Sequence, residues 1–212
     1  ACLANDEKMI EAFKAEEDLH TVTAEAIGCE RQIAKSANFG LLYGSGAKGL
    51  RNYAGASGIT MTEEKAAEIR HNWLLTFKGI AKWQQDNSLK ASETESDEWA
   101  EVRVPGSEMR RFLKGDLNRL TVRCNTPIQG AGAAILKCAL GSLWKHVKEA
   151  GEENARIAAA VHDEILLLVR EGTEDKWGKV LKDVMEEAEA KWLGDIPSLA
   201  DVSTGKTWRE VH

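Results

Sequence analysis

Proline is scarce in this sequence, with three residues in 212, and there is no apolar run of the kind a membrane span requires. The scarcity of proline leaves room for long helices with few breaks. A transmembrane helix needs roughly 20 consecutive apolar residues, so that class of protein is excluded. The first residues lack the basic stretch and the apolar segment that a signal peptide combines. We therefore expect a globular protein with no membrane partner.

Cysteine is also sparse, and its four positions follow no metal-binding spacing. This pattern favours reduced thiols in a cytosolic protein, with disulfide pairing as the alternative. The scattered cysteines are Cys2, Cys29, Cys124 and Cys138.

Charge is distributed unevenly around a formal net charge of -6. Residues 29–55 hold four basic residues and one acid, and residues 102–125 hold six basic residues and two acids. Residues 171–195 hold eight acids and four lysines. The basic stretches suit a phosphate-binding face, with the acidic stretch turned to solvent. Ordinary solvated surfaces explain the same pattern, so charge alone leaves nucleic-acid binding open.

Apolar periodicity and end signals predict a mostly helical chain. One helix is expected to begin after Thr62 and to bend near Gly79. A long one is expected to begin with Pro127 at its first position. The remaining predicted helices cover residues 6–27, 29–43, 48–56 and 174–192.

Alternating apolar residues predict a few strands beside these helices. Residues 99–104 pair with 111–113 across a turn at Pro105–Gly106, residues 156–169 form a hairpin with a polar tip, and residues 201–203 form a last strand. The predicted fold is α+β, mostly helical with one small antiparallel sheet.

Four residues spaced by four form the first candidate site, namely Arg31, Lys35, Phe39 and Tyr43. A step of four on an α-helix turns about 400°, so the four side chains share one face over roughly 18 Å. Cations at one end suit a triphosphate, and aromatic rings at the other suit a stacked base. The order along this face matches the shape of a nucleotide.

The second candidate site is an acidic tip between two apolar runs, formed by His162, Asp163 and Glu164. Carboxylate oxygens are hard ligands that suit Mg²⁺, which stabilises both the attacking and the leaving oxygen in phosphoryl transfer. A solvated hairpin tip is the simpler explanation for the same residues.

The longer strings around both sites resemble a known family. Residues 31–44 resemble the fingers-helix motif of family A (DNA polymerase I-like) DNA polymerases, and residues 161–165 resemble the palm motif of that family. The resemblance implies that Arg31 and Lys35 hold the triphosphate, Lys35 also acting in catalysis. It implies that Phe39 packs on the incoming sugar and base and discriminates against dideoxynucleotides. Tyr43 would stand at the insertion site.

The palm motif implies that Asp163 is the catalytic, metal-binding carboxylate and that Glu164 is a neighbouring catalytic acid. It implies that His162 contacts the primer terminus. Residues 18–21 resemble a segment whose histidine approaches the triphosphate, which makes His20 a nucleotide-binding candidate. Residues 125–130 resemble a minor-groove segment, in which Asn125 and Gln129 would contact primer–template DNA.

Arg110 and Arg111 resemble a basic strand near the primer backbone. The implied subdomains are a connecting helix (1–28), helical fingers (29–90) and the C-terminal part of the palm (91–212). The implied function is template-directed DNA synthesis with two Mg²⁺ ions, in the cytoplasm of a bacterial or phage-infected cell. The implied partners are primer–template DNA and a deoxynucleoside triphosphate (dNTP).

The sequence departs from the family pattern at its start. The other catalytic aspartate of the family lies just upstream of a segment that resembles residues 1–7. We expect a separate N-terminal segment to supply it and the chain alone to be inactive, whether the break is a split gene, an intein junction or a truncation. Thr121 also replaces a customary arginine, for which Arg119 or Arg123 is a substitute.

Two other functions stay open on the sequence. The chain could bind primer–template or nucleotide without turnover. A single-subunit RNA polymerase shares a related helix, although Phe39 and the pair Asp163–Glu164 argue against that class.

Overall fold

The computed structural model describes residues 1–211 and divides into two compact units, one ending at Gly130 and one beginning at Ala131. The mostly helical α+β fold is confirmed. The helices are α1 (Glu7–Lys14), α2 (Leu19–Ile27), α3 (Arg31–Leu42), α4 (Ala47–Ala56), α5 (Glu63–Thr76), α6 (Lys78–Glu93), α7 (Leu120–Ala150), α8 (Glu174–Leu193) and α9 (Trp208–Val211). The strands are β1 (Ala100–Arg103), β2 (Arg110–Leu113), β3 (Ala155–Val161) and β4 (Glu164–Val169).

The single helix predicted over residues 6–27 is wrong, because the chain breaks between α1 and α2. Glu16 adopts a left-handed φ of 54°, which a continuous helix does not allow. Asp18 then caps α2 by accepting hydrogen bonds from the backbone N–H groups of His20 and Thr21. The apolar spacing continued across the break and concealed it.

A buried aspartate fixes the beginning of two helices in the first unit. Asp6 is 1% exposed, and its Oδ1 accepts from the backbone N–H of Met9 at the start of α1. Its Oδ2 accepts from the N–H groups of Gly79 and Ile80 in the first turn of α6, at 2.8 and 3.2 Å. One carboxylate thereby satisfies donors that two helix N-termini leave unpaired.

The core of this first unit lies between α1, α3, α4, α5 and α6. The predicted cap at Thr62 is confirmed, since its hydroxyl accepts from the N–H of Lys65. The predicted bend lies at Phe77, a fully buried residue between α5 and α6. The buried core residues are Met9, Ala37, Leu41, Leu50, Ala66, Ile69, Trp73, Phe77 and Ile80.

The first hairpin pairs β1 and β2 antiparallel across the predicted turn. Its register places Val102 opposite Arg111 and Arg103 opposite Arg110. Ala100, Val102 and Leu113 form a small buried cluster on one face of this hairpin.

The long helix begins earlier than predicted, at Leu120, and contains Pro127 in its interior. Burial explains the difference, because the first turns of α7 pack into the first unit. Gly44 approaches Leu120 so closely that an added Cβ would lie 2.9 Å from its Cγ. Cys124 on the next turn is fully buried. Tertiary packing therefore stabilises helix before the proline, although proline favours the first position of a helix.

The second hairpin pairs β3 and β4 antiparallel, with a two-residue turn at His162–Asp163. The prediction of one sheet is wrong, because the described residues contain two separate two-stranded sheets. A bulge at Ala158 shifts the register: Ile157 pairs with Leu167, but Ala159 pairs with Leu166. The hairpin packs on α8 and the C-terminal part of α7, and the buried residues of this core are Ala139, Leu143, Val147, Ala155, Ile165, Trp177, Val184 and Ala188.

The strand predicted at residues 201–203 is absent from the described residues. The segment before it is tied to α8 by side chains instead of strand pairing. The backbone N–H of Ala200 donates to Glu186 Oε1 at 3.1 Å, and the Ser198 hydroxyl donates to Glu189 Oε2 at 2.7 Å. The Glu186 carboxylate on α8 therefore satisfies a backbone donor that strand pairing would otherwise satisfy.

Within residues 1–211, no helix combines the length and apolarity needed to cross a membrane. The cysteines Cys29, Cys124 and Cys138 form no disulfide within residues 1–211. The assignment of residues 1–28, 29–90 and 91–212 to subdomains stays a prediction.

Gly130 allows α7 to lie against the end of the first hairpin, and we expect Gly130→Ala to destabilise the fold. An added Cβ would lie 2.3 Å from Cγ2 of the branched Val104 side chain and 3.3 Å from its Cβ. Either α7 or the end of the first hairpin would therefore have to shift. The expected loss in unfolding free energy is about 1–3 kcal/mol, measured by urea denaturation. Gly132→Ala is the matched control, because its Cβ would meet nothing within 4 Å. A loss no larger than that of the control would contradict this packing.

Candidate functional site

The exposed face of α3 carries the residues predicted to bind a nucleotide. Arg31, Lys35 and Phe39 are exposed, and the opposite side of the helix is buried. Phe39 keeps 44% of its surface accessible, so a ligand in solvent can reach its ring. Tyr43 lies one residue beyond the helix as its C-cap, with φ -90° and ψ 14°. The structure thus gives one accessible face with cations at its start and aromatic rings towards its end.

Arg31 is oriented by an acid at the start of α2. Its Nε donates to Asp18 Oδ2 at 2.6 Å, and the same oxygen accepts from the Thr21 hydroxyl at 2.6 Å. These two side-chain hydrogen bonds hold the pKa of Asp18 well below its usual range. Arg31 and Asp18 are both substantially exposed, so the pair adds little to stability. Its effect is to fix where the guanidinium lies.

Lys35 lies one turn further along the same face. It is exposed and has no ion pair with any residue among 1–211. A lysine without a carboxylate partner is available to an anionic ligand. The face therefore offers one oriented cation and one unpaired cation to a phosphate chain.

His20 is brought to this face from α2. Its ring centroid lies 5.7 Å from that of Phe39, and its Nδ1 lies 3.0 Å from Nδ2 of the buried Asn38. Burial lowers the pKa of His20, and the charges of Arg31 and Lys35 lower it further, while Asp18 opposes them. The ring is therefore held in its neutral form at neutral pH.

Tyr43 and Gln129, predicted to bind nucleotide and DNA respectively, are in direct contact. The Gln129 Nε2 donates to the Tyr43 hydroxyl at 3.1 Å. Asn125 lies one helical turn before Gln129 on α7 and is half-buried. The exposed amide of Gln129 and the phenol of Tyr43 thus form one polar surface at the end of the α3 face.

The structure separates Arg110 from Arg111, because successive residues of a strand point to opposite faces. Arg110 lies 3.6 Å from Glu101, which also pairs with Arg103. The Nη1 of Arg111 lies 3.5 Å from the Thr126 hydroxyl on α7. The two arginines therefore do not form one continuous basic strip.

The two possible replacements for the missing arginine at position 121 differ in accessibility. Arg119 is exposed, whereas Arg123 is 5% exposed and donates through Nη1 to Asn118 at 2.7 Å. Burial lowers the pKa of Arg123. Arg119 is the arginine that a ligand in solvent can reach.

The acidic tip lies in the second unit, between β3 and β4. His162 occupies the first turn position with a left-handed φ of 56°, a conformation uncommon for a residue with a side chain. Asp163 follows it, is exposed, and makes no hydrogen bond or ion pair with a residue of the described chain. Glu164 begins β4 and is also exposed. The turn displays adjacent carboxylates to solvent.

Sequence reasoning missed the residues that support His20. Neither Asn38 nor Trp73 is among the candidate residues that the sequence identifies. Trp73 is fully buried, but its Nε1 donates to Asn38 Oδ1 at 2.7 Å. The available signal was the polar Asn38 on the apolar side of α3, since buried amides require hydrogen-bond partners.

Comparisons with known proteins agree on one family. The profile of DNA polymerase family A matches residues 1–210. DNA polymerase I of Aquifex aeolicus (strain VF5) is 31% identical over 96% of this chain, and that of Bacillus subtilis (strain 168) is 30% identical over 100%. The chain spans 36% and 24% of these two relatives.

A solved structure shows the same similarity at the level of the fold. The POL domain of Pol1 from M. smegmatis, in complex with DNA primer-template and dNTP, superposes with a TM-score of 0.67 and 27% identity. The match covers 89% of this chain and 34% of that one.

Proposed function

We propose, because the chain belongs to DNA polymerase family A, that residues 1–212 form the nucleotide-binding and part of the metal-binding apparatus of template-directed DNA synthesis. The reaction is nucleotidyl transfer from a dNTP to a primer 3′-hydroxyl, with release of pyrophosphate. The observation that carries this proposal is the exposed α3 face, where one oriented and one unpaired cation precede an exposed aromatic ring.

The residues of α3 supply binding and charge stabilisation. Arg31 and Lys35 contact the triphosphate and balance the charge that moves onto the leaving pyrophosphate. Phe39 stacks against the sugar and base of the dNTP, and its ring favours deoxynucleotides over dideoxynucleotides. Tyr43 lies beside the templating position, where Gln129 holds its hydroxyl. Asn125 and Gln129 contact the minor groove of the primer–template, in which acceptor groups are shared by all base pairs.

The acidic tip fits a magnesium site that is completed by other groups. Mg²⁺ is held in proteins by one or two carboxylates, with substrate phosphates and water as the other ligands. Asp163 offers such a carboxylate in an exposed turn, and Glu164 follows it. No group of three metal-binding side chains occurs in residues 1–211. We propose that a further aspartate on another polypeptide segment completes the site for two ions.

When bound, the ions stabilise charge on the attacking and leaving oxygens. His162 contacts the primer terminus from the same turn. Arg110 and Arg111 approach the primer backbone from two faces of the first hairpin. The proposed compartment is the cytoplasm of a bacterial or phage-infected cell, which suits the reduced thiols of Cys29, Cys124 and Cys138.

A segment exchange tests this function. Residues 1–212 replace the segment of Bacillus subtilis DNA polymerase I that aligns with them over 223 residues. We expect this chimera to extend a primer with Mg²⁺ and dNTPs, and residues 1–212 alone to show no extension. Ribonucleotides should be incorporated far less than deoxynucleotides, which separates this function from RNA synthesis.

The control for the exchange is primer–template binding by fluorescence anisotropy. A folded chimera that binds DNA but does not extend the primer would identify the chain as a non-catalytic binding module. Extension by residues 1–212 alone would contradict the need for a second carboxylate.

A further inference from the structure

The side chain of Asn38 is buried between α2, α3 and α5, and its hydrogen bonds fix which way its amide faces. It is 2% exposed. The Trp73 indole N–H can only donate, so the atom that it meets at 2.7 Å is the amide oxygen, Oδ1. The amide nitrogen, Nδ2, therefore faces α2.

Both hydrogens of Nδ2 have acceptors on α2. The Thr23 hydroxyl can donate to the carbonyl of Leu19 at 2.7 Å or to Asn38 Oδ1 at 3.1 Å, and in either case its oxygen accepts from Nδ2 at 3.0 Å, because an amide nitrogen cannot accept. The second hydrogen points to Nδ1 of His20, also at 3.0 Å. An amide nitrogen offers no lone pair in a hydrogen bond, so Nδ1 accepts and carries no hydrogen. The neutral imidazole then has its hydrogen on Nε2.

The Nε2 edge of the ring is available to a ligand. His20 is half-exposed, and Nε2 has no hydrogen-bond partner in the described chain. The ring lies beside Phe39 and shares its surroundings with Arg31 and Lys35. A donor at this position faces the same anionic ligand as the two cations.

We propose that Asn38, oriented by Trp73, is a positioning residue that keeps His20 neutral with Nε2–H as a donor to an oxygen of the bound triphosphate. We call Trp73, Asn38 and His20 the amide relay. The triphosphate part of this inference rests on the proposed function, whereas the state of the ring does not.

The relay has a defined pH behaviour. The charged groups that face His20 are Asp18, which favours the imidazolium, and Arg31 and Lys35, which oppose it. A proton on Nδ1 would face the donor Nδ2, so the relay also opposes protonation. Burial lowers the pKa of the ring, and the ring is neutral above that lowered value. The Nε2 donor is therefore present throughout the neutral and alkaline range.

Nuclear magnetic resonance of the 212-residue chain tests the ring directly. Long-range ¹H–¹⁵N spectra distinguish a protonated from an unprotonated ring nitrogen. We expect His20 to be neutral with hydrogen on Nε2. Trp73→Phe removes the donor that orients Asn38, so we expect mixed ring forms and a pKa of His20 above that in the unmodified chain. Trp83→Phe is the matched control, since it changes another tryptophan packed against the same core.

A hydrogen on Nδ1 in the unmodified chain would overturn the relay. The relay would also be overturned if the amide spectrum shows that the Trp73→Phe chain is folded and His20 keeps the same protonated ring nitrogen and the same pKa. Asn38→Asp gives a second reading if Trp73→Phe unfolds. The carboxylate introduced at position 38 accepts from Nδ1–H, so the neutral ring should lose its hydrogen on Nε2.

The affinity for inorganic tripolyphosphate tests the role in binding. At each pH, the affinity is divided by that of the matching His20→Ala variant, which isolates the contribution of His20. In the unmodified chain we expect a ratio of about tenfold that is constant from pH 7 to 9. In the Asn38→Asp background the ratio should fall towards one as pH rises, because the neutral ring there has no Nε2–H.

The two hypotheses fail in different ways. If the unmodified chain has hydrogen on Nε2 but does not bind tripolyphosphate, the positioning role is overturned and the relay is structural only, while the segment exchange still tests the proposed function. If the chain binds tripolyphosphate with a ratio near one, the proposed function stands and the role of His20 is overturned.

Discussion

Asp163→Ala is expected to lower primer extension by the chimera about a thousandfold or more. Asp163 is exposed at the β3–β4 turn and makes no hydrogen bond or ion pair with residues 1–211, so its loss should not affect folding. Metal ions contribute several kcal/mol of transition-state stabilisation, and each 1.36 kcal/mol is about a tenfold change in rate. The measurement is the single-turnover rate at saturating dNTP and Mg²⁺.

Glu164→Ala is the control from the adjacent position. It removes a carboxylate of the same turn and is expected to reduce the rate about tenfold or less, since Glu164 is the weaker metal-ligand candidate. The Asp163→Ala variant should unfold at the same temperature as the chimera, and the unfolding temperature of Glu164→Ala is measured beside it. Equal losses in the two variants, or near-normal extension by Asp163→Ala, would contradict the assignment of the metal ligand to Asp163.

Asp6→Ala is expected to lower the unfolding free energy by about 2–4 kcal/mol, more than the loss of an ordinary helix cap. The carboxylate accepts from Met9, Gly79 and Ile80, so its removal leaves three backbone N–H groups unpaired at two helix starts, those of Met9 and Ile80 in buried bonds and that of Gly79 in a part-buried one. Gly79 also lies directly against the backbone of Asp6, since a Cβ added at position 79 would lie 2.6 Å from the Cα of Asp6. Equilibrium urea denaturation of the 212-residue chain measures the change.

Thr62→Ala provides the comparison for this loss. It removes an exposed cap with one hydrogen bond, to the N–H of Lys65, and an N-cap of that kind contributes about 1 kcal/mol. The two variants therefore separate a shared, buried cap from an ordinary one. If Asp6→Ala costs no more than Thr62→Ala, the connection between α1 and α6 does not stabilise the fold.

Local signals were sufficient where one residue type decides the structure. Thr62 is a predictable helix cap because its hydroxyl can accept from an unpaired N–H group in the first turn of the helix that follows. The turn between β1 and β2 is predictable because proline and glycine favour turns. Local signals were insufficient where packing decides. Pro127 is typical of a helix start, but burial of Cys124 extends α7 towards Leu120.

In the candidate site, too, local features could be predicted from the sequence and long-range contacts could not. The spacing of Arg31, Lys35 and Phe39 on one helix was enough to predict a shared face, because helix geometry is local. The sequence did not reveal the Asp18–Arg31 pair, which joins residues 13 positions apart. Nor did it reveal the bond between Asn38 and Trp73, 35 positions apart. Such contacts depend on how α2, α3 and α5 pack.

The bulge at Ala158 gives the base and the tip of the second hairpin separate pairing registers. Shifting a strand by one residue would normally turn every side chain to the opposite face. Here the extra residue absorbs such a shift between Ile157 and Ala159, so the pairs near the turn keep a register of their own. Deleting Ala158 would realign the base of β3 with the tip. The face to which Asp163 is presented, relative to the base of the hairpin, therefore depends on this one extra residue.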